Sequence, residues 1–213
     1  MPQSLIKFAR SISLELSLAQ AEQLVRYAKA VWQKKDLLNL TSAADLQEVL
    51  ARHICDGLQG AACLTRLAQE KNLSAFSVTD AGAGAGYIGL VLAVALPQAR
   101  VTLVESIEKR CAFMNWVILT LGIKNARVKN ARLGQHLLEQ TDFVTERAMV
   151  QLADILPLCL QITKAGGNFV AYQGQPPQLT QKETQDTDGK MVQLLPYTLP
   201  GETRERCLAI FEK

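Results

Sequence analysis

A chain of 213 residues has room for one ordinary α/β domain with a helical extension, and too little for two full domains. With 48% hydrophobic and 20% charged residues it reads as a soluble globular protein with a sizeable core, and no apolar run approaches the ~18 residues of a membrane span. A net charge of only +3 excludes a protein whose whole field attracts nucleic acid, so an RNA partner must be met by a local basic patch.

Taken in chain order, the pattern turns helical from Ser17: Leu18, Ala21, Leu24, Val25, Ala28, Val31 and Trp32 recur at three- and four-residue steps, and Ser17 with Gln20 forms a capping-box pair. This helix is expected to end near Lys35-Asp36. Asn39-Leu40-Thr41-Ser42 then reads as a loop, with Ser42 and Asp45 opening a second helix that carries Val49, Leu50, Ile54, Leu58 and Ala61. Residues 1–72 are expected to form an N-terminal helical extension, and residues 73–213 the remaining domain.

The stretch Phe76–Gly89 reads as a strand closing on Asp80, a loop with glycines at 82, 84 and 86, and a helix start. Glycines allow a ligand to touch backbone and tolerate turn dihedrals that other residues resist. Gly84-Ala85-Gly86-Tyr87-Ile88-Gly89 is also a literal GxGxxG, the dinucleotide fingerprint, but it begins four residues after the strand's acid. An acid closing the first strand repels a pyrophosphate and suits a ligand carrying an ammonium and a sulfonium. S-adenosylmethionine (SAM) is therefore the expected ligand, with a dinucleotide or a structural glycine turn as alternatives. Asp80, Gly82, Gly84 and Gly86 are its first candidate contacts.

A helix to Leu96 stopped by Pro97 follows, then a strand from Ala99 to Glu105. A carboxylate at the end of a second strand can accept both hydroxyls of a ribose, which makes Glu105 a candidate; favouring the dipole of the next helix is the alternative. That helix runs from about Ile107 to Gly122, a C-cap, and carries Lys109, Arg110 and Phe113. Strands are expected at Arg127–Lys129, Asp142–Thr145, Asn168–Tyr172, Met191–Tyr197 and Arg206–Phe211. A helix from Ile155 to Lys164 is expected to end at Gly166-Gly167, and 181–190 reads as a mobile surface loop. The alternation implies a Rossmann-like α/β fold, a mostly parallel sheet with an antiparallel edge.

The cysteines Cys55, Cys63, Cys111, Cys159 and Cys207 are odd in number and contain no CxxC pair, so they read as reduced core thiols. With His53 and His136 the only imidazoles, no metal site is expected. The N-terminus has no signal-peptide pattern, which together with the thiols points to the cytoplasm.

Several separated stretches together resemble the bacterial small-subunit ribosomal RNA guanine-N7 methyltransferases, also called glucose-inhibited division protein B. They are Asn39-Leu40-Thr41-Ser42 with Arg52-His53-Ile54-Cys55-Asp56, the loop Asp80–Gly86, Glu105-Ser106 with Lys109-Arg110 and Phe113, Arg147-Ala148, Gly174-Gln175 and Glu205-Arg206. The resemblance covers nearly the whole chain. It departs at Ile88, where the family usually has proline, and at Gln173, where it usually has lysine.

The resemblance implies a SAM-dependent enzyme that methylates N7 of guanine 527 of 16S ribosomal RNA, acting as a monomer on the small subunit or its assembly precursor. Asn130 and Ala131, at the end of the third strand, join the cofactor-binding candidates. Guanine N7 already carries a lone pair, so attack on a methyl donor needs in-line positioning and no general base. Arg147, at a strand's carboxyl end, is the candidate catalytic residue, holding a phosphate or guanine O6; a salt bridge with Glu146 or another acid is the alternative. Arg52, His53, Lys109 and Arg110 are the other RNA candidates. Arg52, His53 and Asp56 lie three and four apart, so they also fit an intrahelical pairing. Methylation of another RNA or a small molecule, or a non-catalytic nucleotide-sensing or RNA-binding module, remain the competing functions.

Overall fold

The computed structural model describes residues 1–147, 151–177 and 189–213. Helical segments precede the first strand. Helix α1 (Pro2–Ser11) starts on a proline, whose missing N–H costs nothing in a first turn. Only Leu5 and Ala9 of α1 are buried, too short a signal for periodicity to announce the helix. Helix α2 (Leu18–Leu38) begins with the expected capping box, Ser17 and Gln20 each accepting the other's backbone N–H, and ends on Asn39 in the left-handed region.

The next helical run departs from expectation. Asp45 rather than Ser42 is its N-cap, accepting from Glu48 N at 2.8 Å, because Ser42 lies in the extended stretch before it. After α3 (Leu46–Glu48) the chain widens into a π-helical turn, Val49–Ile54, before α4 (Cys55–Glu70). Such turns offset the side chains that follow from the positions a regular helix would give them.

Strands β1 (Phe76–Ala81), β2 (Ala99–Glu105), β3 (Ala126–Asn130), β4 (Thr141–Arg147), β5 (Thr163–Gln173), β6 (Lys190–Thr198) and β7 (Glu205–Glu212) form one sheet in the order β3-β2-β1-β4-β5-β7-β6. The first five are parallel, and β7 runs antiparallel to both β5 and β6. Helices α5 (Gly89–Ala95), α6 (Glu108–Leu121) and α7 (Leu152–Gln161) connect them. Gly166-Gly167 does not end a helix: α7 stops at Gln161, and β5 starts at Thr163 because it pairs there with Thr141. The expectation of a loop at 181–190 falls, up to 188, outside the described residues, and Lys190 opens β6.

Alternation along the strands divides the sheet between two cores. Val78, Leu103, Phe143, Val170 and Ile210 pack towards α2, α4 and α5, while Val144, Phe169, Ala171 and Phe211 pack with α7. Residues 131–140, which join β3 to β4, form no helix, so the second face is left polar over β2 and β3. All seven residues of α5 are buried, as expected of a short helix apolar all round. Its ends are satisfied from elsewhere: Asp80 Oδ2 accepts from Gly89 N at 2.7 Å, and Gln20 Nε2 donates to Val94 O at 2.8 Å. The five cysteines are all free and buried. Among the described residues no helix is long and apolar enough to cross a membrane.

Candidate active site

The glycine loop is shaped by backbone sign. Gly82, Gly84 and Gly86 have φ of 65°, 60° and 88°, a region that side chains resist. A Cβ on Gly84 would meet nothing nearer than Gly82 O at 3.9 Å, so this turn of backbone faces open space. The N-terminal helices hold the loop: the buried Tyr27 hydroxyl of α2 donates to Ala85 O at 2.8 Å, and Tyr87 donates to Leu40 O at 3.3 Å.

A cavity of about 530 Å³ opens at the carboxyl ends of β1, β2 and β4, lined by Gly82, Glu105, Ile107, Arg110, Leu133 and Arg147 among others. This is the point where the strand order reverses, the usual ligand crevice of an open α/β sheet. Glu105 is fixed in its wall: Oε2 accepts from Gly84 N at 2.9 Å, Oε1 accepts from Ile107 N at 2.8 Å, and Arg110 stands 3.9 Å away. Each oxygen keeps a lone pair for a ligand. Ala131 also lines this cavity, with its N–H donating to Glu105 O, whereas Asn130 braces the same carbonyl and Cys111 Sγ through Nδ2.

Asp80 lies beneath the loop instead of in that wall. It is 2% exposed, accepting from Gly89 N and, through Oδ1, from the Thr145 hydroxyl at 3.1 Å. Burial pushes its carboxyl up to about 6, against the opposing pull of Gly89 N–H, Thr145 and the Arg147 charge.

A second cavity, about 320 Å³, is lined by Arg52, His53, Asp56, Tyr172, Gln173, Tyr197 and Arg206, and Arg147 belongs to both. Arg147 Nη1 donates to Asp56 Oδ2 at 2.8 Å, so the acid that pairs with it is Asp56. The other oxygen of Asp56 accepts from the Tyr197 hydroxyl at 2.6 Å. Burial opposes the charge on Arg147, but Asp56 outweighs it and holds the guanidinium ionised.

His53 stacks on Tyr87 at 4.0 Å between ring centroids, and the Arg147 guanidinium lies 5.1 Å over the same ring. Burial, then the charges of Arg147 and Arg52, push His53 down to about 3, so the imidazole is neutral. Arg147 only donates; its 3.4 Å contact therefore makes Nδ1 the acceptor and assigns the ring proton to Nε2, which donates to Thr41 Oγ1 at 2.8 Å. Ala43 N–H donates to the same oxygen at 3.0 Å.

Gly82, Glu105, Arg110, Ala131 and Arg147 thus come together around one cavity, and Arg52, His53 and Arg147 around the other. Arg52 and Asp56 do not pair within the helix: Arg52 bonds to Glu48 and approaches Glu202 at 3.4 Å, because the intervening π turn sends Asp56 inward. Lys109 is exposed and lines neither cavity. Tyr27, Tyr87 and Tyr197 were not singled out from sequence. Tyr197 sits 141 positions from its partner, with no local pattern to connect them.

The family described as rRNA small subunit methyltransferase G matches residues 20–206. Ribosomal RNA small subunit methyltransferase G from Limosilactobacillus reuteri (strain DSM 20016) is 33% identical over 211 residues, 94% of this chain and 86% of that protein. The protein of the same name from Alteromonas mediterranea is 35% identical over 183 residues, 85% and 82% of the two chains. Among solved structures, magnesium protoporphyrin IX methyltransferase from Synechocystis PCC 6803, with bound SAH, aligns with a TM-score of 0.58 at 14% identity, covering 88% of this chain and 96% of that one. A putative RNA methyltransferase from Pyrococcus horikoshii aligns with a TM-score of 0.55 at 15% identity, covering 73% and 84%. These two share the fold. Since the family match runs from α2 into β7 and so spans every residue lining the two cavities, the chain belongs to the rRNA small subunit methyltransferase G family.

Proposed function

We propose that this protein transfers the methyl group of SAM to N7 of a guanine in 16S ribosomal RNA of the small subunit or its assembly precursor, in the cytoplasm. The observation that carries the reading is the shared position of Arg147: one guanidinium borders both the cavity that holds Glu105 and the cavity that holds Arg52, His53 and Arg206. The first suits a nucleoside-like cofactor. Glu105 offers two fixed acceptors to ribose hydroxyls, and Ile107, Ala131, Leu133 and Leu158 give apolar walls for an adenine. Gly82 and Gly84 leave backbone free to approach the ligand, and the ionised Asp80 beneath them biases the loop towards a cation. When bound, SAM supplies an electrophilic methyl on a sulfonium.

The second cavity suits the nucleotide to be modified. Arg147, held by Asp56, presents a fixed cation that a phosphate or guanine O6 can meet, and Arg52 and Arg206, paired with Glu48 and Glu202, stand at its border as further donors. Neutral His53 stays uncharged beside a base that becomes cationic as its N7 is alkylated. In this reading Arg147 is the catalytic residue, and Asp56, Tyr197 and His53 are positioning residues.

The test is mass mapping of 16S ribosomal RNA from cells with and without the gene, with purified protein and SAM added back to undermethylated small subunits. The expected result is one N7-methylguanine that disappears with the gene and returns on addition. An unchanged methylation map, or restored methylation elsewhere than guanine N7, would reject the assignment. Short stem-loops are expected to be poorer substrates than subunits, with the rate falling steeply as salt rises.

A further inference from the structure

Outside the active site, the bare part of the sheet's second face carries a row of cations that begins at the amino ends of its strands. Two adjoining cavities of about 450 and 280 Å³ lie there and share Thr102, Arg127, Glu139 and Thr141. Their existence follows from topology: residues 131–140 cross from β3 to β4 without a helix, so this face stays polar, with Ser77 and Thr102 half-buried and Thr79 and Thr141 buried beneath. Arg100, Lys124, Arg127, Lys129 and Lys164 border this trough. Its carboxylates are Glu139, paired with Arg127 at 2.7 Å, and Asp142, paired with Lys164 at 2.7 Å. Five cations against two carboxylates leave three positive charges, as many as the net +3 of the entire chain.

We propose that this trough binds the phosphodiester backbone of the RNA substrate at a second contact, which extends from the active-site end of β2 to the amino ends of the strands. The inference rests on the RNA reading above. The cations are partly pre-ordered: Arg127 Nε donates to Thr102 Oγ1 at 3.0 Å, and Lys129 Nζ donates to Leu137 O at 2.9 Å. Arg100 and Lys124 are exposed and have no ion pair or side-chain hydrogen bond among the described residues, so they can pair with a ligand at little cost. From Arg127 on β3 to Lys164 on β5 the row crosses five strands in the order β3-β2-β1-β4-β5, about 19 Å at ~4.8 Å per strand. That length suits a run of phosphates better than one small anion, and the Thr102 hydroxyl, whose oxygen accepts from Arg127, can donate its proton to a phosphate oxygen. Glu105 lies five residues along β2 from Arg100, about 17 Å at ~3.3 Å per residue, so a structured RNA passing edge strand β3 can touch both ends of the sheet.

The test compares wild type with the double variant Arg100→Ser and Lys124→Ser, neither residue touching the active-site cavities. Methyl transfer to undermethylated small subunits should show KM raised about tenfold at unchanged kcat, with SAM affinity and melting temperature unchanged. Equilibrium binding of a 20-nucleotide single-stranded RNA, which requires no catalysis, should weaken and lose about 0.7 of its log–log salt slope per contact removed. Identical RNA affinity and salt slope in the two proteins would overturn the proposal. So would displacement of the RNA at constant ionic strength by inorganic phosphate, marking a small-anion pocket, or by polyglutamate with equal affinity, marking an acidic protein partner. If wild type fails to methylate subunits while the variant still loses RNA binding, the substrate reading falls and the trough stands.

Discussion

Arg147 at the end of β4 and Asp56 at the start of α4, 91 positions apart, form an ion pair 2.8 Å long in which the Asp56 side chain is 1% exposed and that of Arg147 19%. The pair fixes the guanidinium at the junction of the two cavities and ties the helical segment before the sheet to the strand that carries the candidate catalytic residue.

Because the carboxylate is buried, Arg147→Ala strands a charge and is expected to cost about 3–5 kcal/mol of stability as well as methyl transfer. Combining it with Asp56→Asn should restore most of the melting temperature and none of the activity. Recovery of activity per folded molecule in the double variant would make Arg147 a purely structural residue.

Gly84→Val places a branched side chain on backbone that faces open space at φ 60°. The strain of a non-glycine residue there is about 1–2 kcal/mol, too little to unfold the chain. SAM binding should nevertheless weaken at least tenfold by calorimetry, because the Cβ substituents stand where the ligand approaches. Unchanged binding by a folded variant would remove SAM from the glycine loop.

Asp80 sets a pH dependence of known sign. Its carboxyl, ordinarily near 3.8, titrates near 6 in the fold, so the buried neutral form is favoured and the penalty of ionising it appears as pH rises from about 4 to 6. A cationic ligand prefers the ionised form. SAM affinity should therefore tighten between pH 5 and 7 and level off above, and Asp80→Asn should abolish the slope. A wild-type affinity flat over that window would separate Asp80 from the ligand.

His53 acts in the opposite direction on stability. With its pKa lowered from 6.5 to about 3, its contribution is complete above pH 6.5 and is lost progressively as pH falls towards 3. His53→Gln should make the melting temperature fall less steeply than wild type between pH 6.5 and 4. Parallel curves would mean that the imidazole is not held neutral by its surroundings.

Much of the fold was legible because it is written locally. The Ser17–Gln20 capping box, the Pro97 stop and the Gly122 cap at φ 66° are signals within a few residues, and β2 runs over the expected Ala99–Glu105. The misplaced start at Ser42 and the helix end expected at Gly166-Gly167 share another cause. Asp45 caps only because the preceding residues are drawn out towards Lys35 and His53, and Thr163 is a strand residue only because Thr141 pairs with it.

By itself the sequence determined the alternation of strands and helices, the glycine loop with its positive dihedrals, and the carboxylate ending β2, each a short-range choice of residue that backbone sterics and strand periodicity can express. Only the tertiary structure decided what those groups face. Asp80 turned under the loop to cap α5, Arg147 met Asp56 rather than open solvent, Tyr197 crossed 141 positions to share that carboxylate, and a missing helix between β3 and β4 left a basic trough uncovered. The reason is that buried charges and hydroxyls must find partners wherever the packed chain brings them, and sequence distance places no limit on which partner that is.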